Sequence, residues 1–336
     1  MVATACGGTD VAEFEDATLT YEYAIGDVVT FDFTMVQNLV AVIDLNATPG
    51  ILGETDLPDE IDISLETIGE LTYFINPADD PESYEIALSG VITDTSVTGR
   101  IDGRAVNDVD DLPIDFVPET APPSLILVVD RAGNATPKEQ APTDLFALLA
   151  NPTSAATAGG IDPMADHLGP VFPNESLTTG STWQVEAEED VLGSPMTITS
   201  SHRLAKVTAV DGTNVATIES TLGSSGFEVS LGTLLSLLFG GANDLADGAD
   251  AGDISSQIDG SGFDLRVVGS ALTGASTTNF DIEAGRLLGY QTNSASPVEV
   301  TLSFPDEETG DPVMGSMQLT TTVDFDATLR IGEPSE

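Results

Sequence analysis

Thr179-Gly180-Ser181-Thr182-Trp183-Gln184-Val185-Glu186-Ala187 reads as a turn at glycine followed by an alternating strand, and it carries the only tryptophan of the chain. The same pattern occurs earlier, in Ile25-Gly26-Asp27-Val28-Val29-Thr30-Phe31-Asp32-Phe33. There Val29, Phe31, Phe33 and Met35 alternate with Thr30, Asp32 and Thr34. A period of two places the apolar residues on one side of a strand, so one face is buried and the other is wet.

Further strands follow each of these turns. In the first half, Ile61, Ile63 and Leu65 alternate, as do Tyr84, Ile86 and Leu88, while Leu125 to Val129 is a continuous apolar run. Leu19, Tyr21 and Tyr23 predict a strand ahead of the first turn. In the second half, His202 to Val210 and Thr213 to Ser220 flank Asp211-Gly212, the dipeptide that suits a tight hairpin. Val298, Val300, Leu302 and Phe304 form one arm of a last hairpin; Met317, Leu319, Val323, Phe325, Leu329 and Ile331 share a face on the other. Each half ends a strand in Ala-Gly, at Ala132-Gly133 and at Ala284-Gly285. We read a tether over residues 1–17, a β-rich half over 18–133, a connector over 134–178 and a second, similar half over 179–336 with an insertion at 227–264. The connector predicts two short helices, Leu145 to Leu149 behind Pro142-Thr143-Asp144, and Pro163 to Leu168 with Asp162 as N-cap.

Half-polar strands in a meander must curve or close to hide their apolar face and their edges. The expected fold is therefore mainly β: a strongly curved antiparallel sheet or incomplete barrel built from two similar halves, with a few short helices. A two-sheet β-sandwich is the alternative.

Of 336 residues, 56 are acidic and nine are basic, for a net charge of −47. No Lys or Arg precedes Arg100. Such a polyanion excludes nucleic-acid binding through phosphates and electrostatic adsorption to anionic lipid. The balance fits halophilic adaptation, in which acidic side chains keep a surface hydrated and salt screens their repulsion. Nothing approaches the run of about 18 apolar residues that a membrane-crossing helix needs.

Cys6 is the only cysteine, so no intrachain disulfide forms. It sits in Val2-Ala3-Thr4-Ala5-Cys6-Gly7-Gly8, small residues before and glycines after, as in a lipobox whose cysteine becomes the lipid anchor. The basic and most of the apolar stretch of a secretory signal are not in the sequence, so this reading expects a late start codon or a trimmed chain. The alternative is an accidental small-residue start with a free thiol.

Catalytic signatures are sparse. His167 and His202 lie in no nucleophile or metal motif, and surface or core roles suit both. Carboxylates are too numerous for any pair to stand out as catalytic. Asp244, Asp247, Asp250 and Asp253 recur every three residues beside Gly248 and Gly252. They read as a solvated loop or as weak calcium ligands, since calcium takes hard oxygen donors but the loop lacks the alternate spacing and closing Glu of an EF-hand. No other cofactor is expected. Within Leu231 to Phe239, the residues Leu231, Leu234, Leu235, Leu238 and Phe239 read as a core helix, as the lining or lid of an apolar cavity, or as a segment dipping into a bilayer. Asn46, Asn134 and Asn174 head glycosylation sequons.

The lipobox-like start, the turns at Gly26-Asp27 and Gly180 to Trp183, the Phe172-Pro173 that precedes the latter, and the duplicated layout together resemble a family of uncharacterised actinobacterial lipoproteins. The likeness covers most of residues 18–332 and supplies no catalytic residues. In layout the chain is also similar to envelope lipid carriers, curved sheets with helices over an apolar cavity. Together with the residue pattern, these likenesses imply a non-enzymatic, exported lipoprotein, anchored through Cys6 to the outer face of the cytoplasmic membrane and binding a hydrophobic molecule or lipid in a concave sheet. The competing expectation is an envelope protein that works through protein contacts.

Overall fold

The computed structural model describes residues 16–44, 59–108, 125–138, 169–191, 194–210, 212–230, 264–305 and 312–330. The Cys6 motif, both connector helices, His167, the Leu231 to Phe239 run and the four spaced aspartates all lie outside these residues.

The described chain is one antiparallel sheet and contains no helix. The first half contributes β1 (Val28–Asp44), β2 (Glu60–Pro77), β3 (Ser83–Ile101), β4 (Arg104–Val106), β5 (Leu125–Asp130) and β6 (Ala135–Pro137). The second contributes β7 (Thr182–Val191), β8 (Ser194–Val210), β9 (Thr213–Ser224), β10 (Phe227–Ser230), β11 (Asp264–Gly269), β12 (Thr273–Asp281), β13 (Arg286–Pro305) and β14 (Pro312–Leu329). The longest, β13, runs 20 residues, about 65 Å at the usual rise per residue.

The order across the sheet is β6-β5-β3-β2-β1-β14-β13-β12-β9-β8-β7. This is a meander in which every strand lies beside a sequence neighbour; the pairing of β1 with β14 joins the two halves in mid-sheet, and β6 and β7 stand at the two ends of the order. The two halves thus form one sheet, a curved and unclosed one, and not a sandwich. At its upper end β9 continues into β10 past a break at Ser225-Gly226, and β11 continues into β12 past a break at Ser270 to Leu272. The two broken strands pair throughout, and β13 takes both β11 and β12 as partners. The open edges are blunted, on one side by the three residues of β6 with its Pro137 and on the other by Glu186 and Glu188 of β7.

Alternation then decides the faces. Val29, Phe31, Leu39 and Ala41 of β1 are buried, and so are their partners on β2, among them Leu71, Ile63 and Ile61. The hairpin at Asp211-Gly212 forms as expected, with Val210 opposite Thr213 and Gly212 at φ +88°.

The segment around Leu19, Tyr21 and Tyr23 is buried but is not a strand of the sheet. It runs across the lower ends of the strands, its amides donating to Arg131 O and Gly285 O (both 2.8 Å). Ala17 exchanges two backbone bonds with Leu177, so the strap 16–27 is tied to a second strap, 169–181. Tyr21 is the keystone of this plug: its ring packs on Phe172 and edge-on to Phe280, and its hydroxyl donates to Pro170 O at 3.1 Å. Alternation predicted a strand here because a strap that buries every second residue has the same signature. The turns at Gly26 and Gly180 match in geometry, with φ +94° and +93° and with amides donating to Ile75 O of β2 and Leu204 O of β8.

Two apolar clusters result. The lower one gathers the plug with Phe31, Tyr73, Ile86, Leu204 and Phe280. The upper one gathers Leu39, Ile63, Val97, Val267, Val300 and Leu319.

Candidate binding trough

Between the two clusters the inner face changes character. Register places Met35, Phe325, Thr292, Ser276, Ser220, His202 and Trp183 in one row, each directly paired with the next across β1, β14, β13, β12, β9, β8 and β7. One step up, Gln37, Val323, Ser294, Gly274, Leu222, Ser200 and Val185 form a second row. At about 4.8 Å per strand these rows run about 30 Å. Most of their residues are half-buried; the row below is, apart from Phe33, buried in the lower cluster, and the row above is buried at Leu39 and Thr321 but half-buried at Ser296, Ser224 and Ile198. These two rows form the candidate trough across the strands, between the two clusters.

The floor is amphipathic. On the β1–β2–β14 side it is mainly apolar, with Phe33, Met35, Leu65 and Val323 half-buried around Gln37 and the buried Thr67. On the β8–β9–β12–β13 side it is a belt of hydroxyls, Ser200, Ser220, Ser276, Thr292 and Ser294. The hydroxyls of Thr278, one row below, and Thr321, one row above, are buried with no hydrogen-bond partner among the described residues.

His202 anchors the polar end. Its Nδ1 lies 2.7 Å from Ser220 Oγ and its Nε2 lies 3.0 Å from Ser200 Oγ. A neutral imidazole carries one N–H and one lone pair, so one serine accepts and the other donates. Burial lowers its pKa from 6.5 to about 4, so the ring is uncharged at neutral pH. The ring stacks on Trp183 at 5.2 Å, and Trp183 Nε1 donates to Val171 O of the second strap at 2.7 Å. A Ser–His contact of this length invites comparison with a nucleophile and its base. Here the imidazole is a weak base, and its other partner is a serine in place of the carboxylate that orients a triad histidine. A hollow of about 600 Å³ lies against the outer face behind this end, walled mainly by Thr182, Gln184, Ser201, Arg203, Glu219 and Thr221, with Trp183, His202 and Ser220 at its base. It is an open depression of the other face and not part of the trough.

No charged side chain lies in the two rows. All nine basic residues fall within the described chain. On the outer face Arg203 pairs with Glu219, Arg266 with Glu228, and Arg330 with both Asp32 and Glu70. Among the described residues no group of His, Cys, Asp or Glu is arranged to hold a metal, and no helix is long and apolar enough to cross a membrane. Of the sequons, Asn134 is exposed and its amide donates to Asp130 at 2.7 Å, Asn174 is exposed, and Asn46 lies outside the described residues.

The site residues read from the sequence, Cys6, the Leu231 to Phe239 set and the four spaced aspartates, all lie outside the described residues; His202, read as a surface or core histidine, is buried within β8 and stands in this trough. The hydroxyl belt escaped that reading. Its signal is a broken alternation: in Gln291 to Ser296 the inward positions are Thr292, Ser294 and Ser296, and in β8 Ser200 and His202 stand between Ile198 and Leu204, where an unbroken core strand would carry Val, Ile or Leu.

No protein-family model matches the chain, and no curated protein matches it. Among solved structures, DynF from the dynemicin biosynthesis pathway of Micromonospora chersina is similar at 8% identity and a TM-score of 0.18, over 98% of this chain and 91% of that one. OccK11 (OpdR) of Pseudomonas aeruginosa aligns at 6% identity and a TM-score of 0.19, over 93% and 100% of the two chains. The outer membrane protease OmpT of Escherichia coli aligns at 6% and 0.15, over 90% and 96%. Scores this low carry no argument about fold or function.

Proposed function

We propose that this chain is an exported envelope lipoprotein, anchored through Cys6 and non-enzymatic, that binds a hydrophobic or lipid-like molecule along the inner face of its sheet. One observation carries the ligand reading. Phe33, Met35, Leu65 and Val323 remain half-buried in mid-sheet: Phe33 and Met35 rest on the lower cluster and Leu65 on the upper one, yet none of the four is fully covered. A face built only for stability would be filled there too, because each apolar side chain brought fully out of water contributes about 1.5–3 kcal/mol. The lipid anchor rests on the small-residue setting of the single cysteine, and it places the trough close to a source of amphiphiles.

The test is native mass spectrometry of the Cys6→Ser chain, purified without detergent from a salt-adapted host. The expected result is an added mass that organic extraction removes. A bare mass that stays bare after incubation with extracted envelope lipids would overturn the ligand reading and favour an envelope protein acting through protein contacts. The anchor is tested separately, by acyl-chain labelling of the wild type against Cys6→Ser in cells.

A further inference from the structure

We infer that the polar part of the bound molecule is an uncharged, hydroxyl-bearing head, a sugar or another polyol, seated on Ser200, Ser220, Ser276, Thr292 and Ser294. This rests on the ligand reading above and names the class of ligand. The apolar part lies over Met35, Leu65 and Val323, so the molecule spans the trough from β2 towards β8.

Charge is the first argument. The chain holds 65 charged residues, 56 acidic and nine basic, yet the two rows of the trough hold none. An anionic head would find no counter-charge there, since every basic residue sits on the outer face, at a turn or at a strand end. A cationic head would find no carboxylate among the described residues of the two rows. Burying either ion unpaired is costly, whereas a neutral head loses only water that hydroxyls can replace.

Hydrogen-bonding capacity is the second. A hydroxyl donates once and accepts twice, which is the capacity a polyol presents in return. The neutral His202 holds Ser200 and Ser220 in place, so that end of the belt is already oriented. The buried, unpartnered hydroxyls of Thr278 and Thr321 bracket the belt below and above. Direct pairing sets Thr292 against Ser276, and Ser276 against Ser220, on strands about 4.8 Å apart; Thr292 Oγ1 donates to Ala275 O at 3.3 Å and retains its accepting capacity.

Trp183 closes the row beside His202 and is the chain's only tryptophan, so its emission reports on the polar end alone. The experiment titrates the Cys6→Ser chain with three ten-carbon amphiphiles below their micelle thresholds: decyl maltoside, decyl phosphate and decyl trimethylammonium. It runs in about 1 M salt, where the screening length is about 3 Å and the net charge no longer selects by itself. Native mass spectrometry counts bound molecules, with decanol as a headless control. Decyl maltoside is expected to shift Trp183 emission saturably and to bind at least tenfold more tightly than either charged probe. Ser276→Val/Thr292→Val, in which β-branched residues suit the strands, should lose at least fivefold of maltoside affinity while decanol uptake is unchanged or stronger; Ser294→Ala is the milder second variant. A charged probe binding as tightly as the maltoside, or folded variants that keep the full preference, would overturn the neutral-head inference and leave the trough standing. Failure of all four probes to bind would overturn the ligand reading with it.

Discussion

The two halves of the inner face start alike at the lower end and part company in mid-strand. Phe31, Leu71 and Tyr73 of one half are matched by Leu204, Ile218 and Phe280 of the other, all buried against the same plug. Two to six residues further along, the first half continues with Met35 and Leu65, flanked by Val323 of β14, while the rest of the second half turns to Ser200, Ser220, Ser276 and Ser294. Each half-buried Ser in place of Leu forgoes about 1 kcal/mol of apolar burial. The lower plug therefore supplies stability common to both halves, and the middle rows of the second half are free of that duty.

Four perturbations probe this contrast, in order of expected size. Tyr21→Ala strikes the plug that both halves share and should cost about 4 kcal/mol, read as a lower denaturant midpoint, because it leaves a cavity against Phe172 and Phe280. Retention of the wild-type midpoint would mean that the plug does not hold the halves together.

Mild acid probes the second half through His202. His202 is held neutral, so its contribution is complete above its unfolded value of about 6.5 and declines as pH falls through 6.5 towards 4. The full loss is roughly 3 kcal/mol. His202→Leu should remove the slope between pH 6.5 and 5, above the range where the carboxylates titrate, and the difference between the two proteins isolates this side chain. Parallel pH profiles for the two would show that His202 is not buried as described.

Glycine substitutions separate packing from turn conformation. Gly133 has φ +96°, and a Cβ there would stand 2.5 Å from the Tyr21 ring; Gly180 has φ +93° with open space around it. Gly133→Ala should cost about 2 kcal/mol and Gly180→Ala about 1. Equal losses would remove Tyr21 from the explanation. Smallest is Arg330→Ala, which unties Asp32 from Glu70 on the exposed outer face. It should lower the melting temperature slightly in dilute buffer and not at all in molar salt.

Much of the architecture was legible in the chain. The alternation in Val29 to Met35 and in Met317 to Leu329, and the Asp211-Gly212 hairpin, rest on local rules: side chains alternate along a strand, and a tight turn needs glycine. The strap at Leu19 to Tyr23 misled because burial of every second residue looks the same whether a segment lies beside strands or across them. The trough was not legible, because a serine in a strand looks the same whether it faces water or a ligand.

By itself the amino-acid sequence determined that the protein is β-rich, that its surface is acidic and which residues of each strand share a face, because these depend on composition and on neighbours one or two residues apart. Tertiary structure alone decided that β1 pairs with β14, that the halves make one open sheet, and that Met35 and His202 stand in one row. Those relations join residues hundreds of positions apart, and register between distant strands is chosen by the packing of the whole inner face.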